Sequence, residues 1–421
     1  MITFYEHQTE ALNRLYDFDN VAFFHDCGLG KTFTGAEKLY QLNTQRNLVI
    51  CQKSKLSDWL EHFTTYYGSD YIVYDLTKTK NIQKYLDATD PVIGIINYDV
   101  IFRRDELFSV DTLLCDESGL LTNERAKRTK FILNMDYKHI ILLSGTICGG
   151  KYENILPQLK LLGYTVSESA FYNMYVDYEL KSNGWNDKRK HRVIKGYKNV
   201  DHLKKKMRLM GCDFLKTEDV LHLPEQITIP VIVDKPKEYN VLRKKKIVTV
   251  DGIELVADTA LTELLYLRKI CGAYNRYKLQ AFEDLLNSTL DGFVVFYNFN
   301  DELNELLSIC GKCGRMVSVI NGSRKDLEAY DKSDHAVVLV QYQSGALGLN
   351  LQKYNRIIYY SPVQWSELFQ QSIKRIHRIG QTKTCFYYRM ITKDSIESDI
   401  YMTLDKLQDY TDALFIQKFT Q

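Results

Sequence analysis

Short apolar runs alternate with longer amphipathic stretches along most of the chain. The uninterrupted runs predict buried strands at residues 21–24, 47–51, 92–97, 112–115 and 140–144, and again at 292–297, 316–320, 336–341, 356–360 and 384–390. A strand apolar on both faces belongs in a parallel sheet with helices on either side. Two such series predict two α/β domains in tandem. Between them, residues 165–278 are rich in Lys, Tyr and Leu, helical in period, and broken near Leu223-Pro224 and Asp251-Gly252. This stretch predicts helical insertions. One, at about 165–222, falls in a first domain of residues 1–228; the other, at about 235–275, opens a second of 229–421.

Composition changes this picture little. The 421 residues are 45% hydrophobic and 26% charged with a net charge of +2, ordinary for a globular protein with sizeable cores. A near-neutral total does not exclude nucleic acid, because basic residues can be confined to one groove. The N-terminal residues lack the profile of a signal peptide, and no apolar run is long enough to span a membrane. The nine cysteines are scattered, which fits reduced thiols in a cytoplasmic protein. Cys310 and Cys313 form the one close pair and have no further ligands at zinc-site spacing, so they read as structural.

Chemistry enters after the first apolar run, at His25-Asp26-Cys27-Gly28-Leu29-Gly30-Lys31-Thr32. A strand, a glycine-rich turn and a helix beginning at Lys31 form a phosphate cradle, in which backbone N–H groups and the helix dipole face the anion. Lys31 is expected to bridge the β- and γ-phosphates of ATP, and the Thr32 hydroxyl to hold Mg²⁺. The second element is Leu113-Leu114-Cys115-Asp116-Glu117. A strand ending in paired carboxylates suits phosphoryl transfer, with Asp116 positioning Mg²⁺ and Glu117 orienting and deprotonating water. On its own such a pair is as often a solvated turn. The third element runs from Gln371 to Gln381 and carries Arg375 and Arg378. On a helix these two would point the same way and could act as arginine fingers, or they form a basic solvent-exposed face.

In this order the elements resemble the superfamily 2 helicase-like ATPases, more narrowly the Swi/Snf-like double-stranded DNA translocases, and the resemblance covers nearly the whole chain. It implies two tandem RecA-like parallel-sheet domains with helical insertions. Phe4, His7 and Gln8 are similar to the family's adenine-recognising segment. With them Cys27, Gly28, Leu29, Gly30, Lys31, Thr32, Gly348 and Gln371 are implied to contact the nucleotide. Gln52 through Trp59, and Ile96-Asn97-Tyr98, resemble segments that meet the tracked DNA strand. Ser144-Gly145-Thr146 resembles the motif coupling nucleotide state to lobe movement. Leu267 through Cys271, Ser344 through Leu351, and the Arg375–Gln381 string ending in Arg-Ile-Gly-Gln are the more specific marks.

The chain departs from the family in three places. Gly119 stands where the carboxylate motif usually ends in His, so the link to Ser144-Gly145-Thr146 is expected to be looser or differently wired. The usual Trp-Asn-Pro before the arginine motif is absent, although Trp365 lies close by. The chain also carries no histone-reading module, so the resemblance is to compact bacterial or bacteriophage motors. These imply a bacterial or virus-infected cytoplasm and a possible nuclease or replication partner. The implied activity is ATP hydrolysis between two lobes with movement along double-stranded DNA; a strand-separating DNA or RNA helicase and an ATP-gated DNA clamp remain as alternatives. The basic runs 188–192, 204–206 and 243–246 read equally as DNA contacts or as solvated helix faces.

Overall fold

The computed structural model describes residues 2–26, 28–145, 151–182, 190–220, 223–345 and 349–406. The chain divides into two compact units, Met1–Leu221 and His222–Gln421. Among the described residues no helix is long and apolar enough to cross a membrane.

The first unit is built on β1 (Asn20–His25), β2 (Arg46–Cys51), β3 (Ile72–Asp75), β4 (Val92–Asn97), β5 (Ser109–Asp116), β6 (Asp136–Leu143) and β9 (Cys212–Leu215). They form a seven-stranded sheet in the order β3-β4-β2-β5-β6-β1-β9, with every neighbouring pair parallel. The apolar runs form strands because both faces are covered. Successive residues go to opposite faces, so Val21 and Phe23 enter one core while Ala22 and Phe24 enter the other. Helices α1 (Glu6–Arg14), α2 (Lys31–Leu42) and α3 (Leu56–Tyr67) pack on the sheet. The C-terminal carbonyls of α1 are met by Lys38 of α2, whose buried ammonium donates to Leu15 O (2.9 Å) and Tyr16 O (3.0 Å). This holds α1 against the helix that follows the glycine loop.

The second unit contains β10 (Gln226–Val233), β13 (Phe293–Tyr297), β14 (Val317–Ile320), β15 (Val337–Gln341), β16 (Arg356–Tyr359) and β17 (Cys385–Thr392). Its six-stranded sheet runs β10-β17-β16-β13-β15-β14, again parallel throughout. A buried ion pair ties its layers together. Lys278 Nζ meets both Glu397 oxygens at 2.6 Å and donates to Tyr360 O at 3.1 Å.

The two tandem parallel-sheet domains expected from the sequence are present, and all ten expected strands form. Three details differ. The expected boundary at 228/229 falls inside β10, which pairs along its whole length with β17 of the second sheet; Pro230 obscured this strand and is tolerated because β10 is an edge. The 165–222 insertion is only partly helical. It contains an antiparallel hairpin, β7 (Val176–Ser182) and β8 (Lys190–Tyr197), and ends in β9, an edge strand of the main sheet. The 235–275 segment likewise holds a hairpin, β11 (Ile247–Val250) and β12 (Ile253–Val256), between its helices.

Candidate active site

Sheet register brings the chemistry of the first unit to one edge. Phe23 of β1 and Asp116 of β5 both pair with Leu143 of the intervening β6. The glycine loop, the carboxylate pair and Ser144-Gly145 therefore leave the sheet side by side at its carboxyl edge, where open α/β sheets bind ligands. Cys27 and Thr146 lie outside the described residues.

The loop is shaped by its glycines and held from behind by α1. Gly28 and Gly30 have φ of 97° and 73°, left-handed values that favour glycine. Gly30 also caps α2, and a Cβ there would collide with Gln8 Nε2. Gln8 donates from Nε2 to Gly30 O (3.1 Å), and His7 from Nε2 to Leu29 O (3.1 Å). These amide and imidazole donors of the adenine-like segment thus brace the loop itself. Lys31, at the first position of α2, donates to His25 O (2.9 Å) and Asp26 O (3.2 Å). Its ammonium is parked on the loop's own carbonyls. Thr32, part-buried in the first turn of α2, follows it.

A second support comes from β9, which sequence reasoning missed. Asp213 accepts from His25 Nε2 at 2.7 Å and from Arg14 Nε and Nη2 at 2.9 and 3.1 Å. Burial alone would raise the Asp213 carboxyl, but the His25 and Arg14 hydrogen bonds outweigh it and hold the group below its usual range. Burial keeps His25 below the ordinary histidine value despite that carboxylate. Asp26 Oδ2 accepts from Thr217 N (3.0 Å), while Asp26 N donates to Leu215 O (2.9 Å). His25, at the head of the glycine loop, is therefore one half of a buried pair. No local signal marks Asp213, which lies 188 positions from its partner.

Asp116 is gripped on every side. Trp59, 1% exposed, donates from Nε1 to Oδ2 at 2.9 Å. The Glu117 N–H donates to Oδ1 at 3.0 Å, and the Tyr98 hydroxyl to the Asp116 carbonyl at 2.7 Å. Trp59 and Tyr98 belong to the segments that resemble DNA-strand contacts, yet both side chains turn inward onto Asp116, one to its carboxylate and the other to its backbone carbonyl; Lys53, Ser54 and Ser57 are exposed in the first of these segments. Burial and the Glu117 charge push the Asp116 carboxyl up to about 6, against the Trp59 hydrogen bond and the charges of Lys55 and Lys31. A buried carboxylate is a donor suited to a hard divalent cation, whose charge would oppose that upward push. Glu117 sits at φ 50°, ψ 50°, a left-handed conformation unusual for glutamate. One residue before Gly119, Ser118 donates to Gln158 Oε1 at 2.9 Å, both residues buried. Gln158 lies on the helix Leu156–Leu161.

In the second unit the helix Ser366–Ile373 ends before the arginines, which stand in the following turn rather than on a helical face. The two side chains consequently differ. Arg375 is 7% exposed and donates to Leu349 O (3.2 Å), while its own carbonyl accepts from Leu351 N (3.1 Å). Arg378 is part-exposed. Gln381 pins the turn by donating to Gln352 O, Tyr354 O and Ile376 O. Gln371 is buried and donates to Glu367 Oε1 at 3.2 Å. Gly348 lies outside the described residues. Arg268, also buried, donates to Gln364 Oε1 (2.7 Å) and Pro362 O (3.1 Å).

A glycine loop beside a carboxylate pair whose aspartate is buried, at the carboxyl edge of the first of two parallel sheets, has the make-up of a helicase-like nucleotide site. Residues 7–275 match the SNF2-related domain and residues 277–380 the helicase conserved C-terminal domain. The chain belongs to the SNF2-related family. It is similar to the DNA repair and recombination protein RAD54B of Mus musculus, 20% identical over 89% of this chain and 51% of that protein. It is 24% identical to the Protein CHROMATIN REMODELING 24 of Arabidopsis thaliana, over 98% of this chain and 46% of that protein. The chain thus spans about half the length of these relatives. Among solved structures it is similar to a Sulfolobus solfataricus SWI2/SNF2 ATPase core in complex with dsDNA, at 19% identity and a TM-score of 0.44, covering 98% of this chain and 92% of that one.

Proposed function

We propose that the chain is a DNA-dependent ATP hydrolase that moves along double-stranded DNA. The observation that carries the reading is the convergence of Lys31, Asp116 and Glu117 at one sheet edge in a member of the SNF2-related family. The loop N–H groups and Lys31 bind the nucleotide phosphates, with Gln8 and His7 fixing the loop from behind. Thr32 and Asp116 are the residues that would hold Mg²⁺, which when bound neutralises charge on the β- and γ-phosphates. Glu117 orients the attacking water and takes its proton. Arg378 of the second unit is assigned the charge that develops on the transferred phosphoryl group. Movement along any sequence calls for contacts to phosphates rather than to base edges.

The test is ATP turnover with duplex DNA, single-stranded DNA or RNA, together with displacement of a triplex-forming strand from a duplex. Turnover stimulated by duplex, with the third strand displaced, is the expected result. Stimulation by RNA or single strands alone would overturn the reading. Duplex-stimulated turnover without displacement would reduce the protein to an ATP-gated clamp.

A further inference from the structure

From Lys190 to Leu209 the chain carries eight lysines and arginines and one carboxylate, Asp201. The whole chain has a net charge of only +2, so everything outside this stretch is net acidic. The stretch comprises β8 and the helix Val200–Leu209. That helix is anchored through Leu203 and Met207, which are 0% and 2% exposed. Its periodicity then turns Lys204, Lys205 and Arg208 to solvent, and all three are exposed. Asp201 shares that outer face, but none of the three cations forms an ion pair among the described residues. At the end of β8, Lys195 and Lys198 are also exposed and reach only Glu179 (3.0 Å) and Asp177 (3.3 Å), carboxylates that are themselves open to solvent. Hairpin Arg192 is different: stacked 4.1 Å from the Tyr172 ring centroid and paired with Glu168, it is structural.

We propose that the outer face of the helix Val200–Leu209, with Lys204, Lys205 and Arg208 at its centre, is a second contact for the phosphate backbone of duplex DNA. The inference rests on the DNA-translocase reading and adds a surface to it. The helix leads directly into β9, at the opposite side of the sheet from the segments after β2 and β4 that resemble strand contacts. β9 lies four positions from β2 and five from β4, which at about 4.8 Å per strand is about 19 and about 24 Å. Phosphates follow one another every ~3.4 Å along one strand. Across the sheet, β9 is therefore about six to seven phosphate spacings from β2 and β4, so a contact on the helix beside β9 is separate from one on those segments. Exposed cations that lack acidic partners can each release a condensed counterion from DNA, whereas paired ones must first exchange a carboxylate.

The experiment is duplex-DNA binding by the full chain across a salt series. It compares the wild type with Lys204→Gln/Lys205→Gln/Arg208→Gln, which keeps good helix formers on a solvent face, and with Lys204→Arg/Lys205→Arg. The log–log salt slope should become shallower by about 0.9 for each phosphate no longer neutralised, up to about 2.7 for the triple variant. DNA-independent ATP turnover should be unchanged, and the arginine variant should keep the wild-type slope. A triple variant that binds with the wild-type slope and affinity overturns the proposal while leaving the translocase reading intact. A wild type that binds no duplex overturns both.

Discussion

Replacing Trp59 with Phe keeps an aromatic ring in the core, stacked on Phe63 at 5.5 Å, and removes a single N–H from the Asp116 carboxylate. A hydrogen bond to a charged group contributes about 1.5–3 kcal/mol. If the carboxylate must hold its orientation through the transition state, that loss is a factor of roughly 10 to roughly 150 in turnover. The smaller ring also leaves space, so some stability is lost, and a fall in activity alone would not separate the two effects. ATP affinity measured with and without Mg²⁺ does. In the proposed mechanism Asp116 acts on the nucleotide through the cation, so Trp59→Phe should weaken Mg²⁺-supported binding and leave binding in chelator near wild type. The double variant with Asp116→Asn should be far from additive, because the indole then has no carboxylate to orient. Wild-type turnover in a folded Trp59→Phe protein, or equal weakening with and without Mg²⁺, would refute the argument.

Glu117→Gln should keep ATP binding and abolish turnover, because the amide matches the carboxylate in size and cannot accept the water's proton; single-turnover hydrolysis beside nucleotide affinity checks this. Arg378→Ala should lower DNA-stimulated turnover by on the order of 10³ with a much smaller change in ATP affinity. Arg375→Ala should act first on stability, by about 1–3 kcal/mol in urea unfolding, because it deprives the Leu349 carbonyl of its donor. Equal effects of the two arginine variants on both readouts would count against this division. Burial holds His25, His62 (about 4) and His377 below the ordinary histidine value. The unfolded chain therefore takes up protons near pH 6.5 that the folded chain refuses, so stability should be full above about pH 7 and fall as pH drops toward 5. An unfolding midpoint unchanged between those pH values would contradict it.

Much of this architecture was legible because parallel strands covered on both faces read as unbroken apolar runs; β4, buried at every position, is the extreme case. What escaped were strands at the margins. β9 is four residues long with an aspartate inside it, and β10 has alternating exposure and a proline, so neither resembles a core strand. The glycine loop and carboxylate pair were legible as strings because their residues are contiguous. Asp213, Arg14 and the inward turn of Trp59 and Tyr98 were not, because each acts through a partner brought near only by the sheet. The arginine motif was found by its string, but its helical geometry was misjudged. Helical spacing assumes the helix continues, and here it stops at Ile373.

The pairing of β9 with β1 sets an order of events during synthesis. Asp213 and His25 are 188 positions apart. At about 5–20 residues per second, a ribosome takes roughly 10–40 s to go from one to the other. Until then α1, β1 and the glycine loop can collapse onto β6, but the loop's first residues lack the edge strand that accepts their N–H groups and the carboxylate that orients their histidine. The nascent first unit thus passes through a period with its apolar cores largely formed and its glycine loop unfinished. The loop gains its second support only after the whole hairpin-and-helix insertion has left the tunnel.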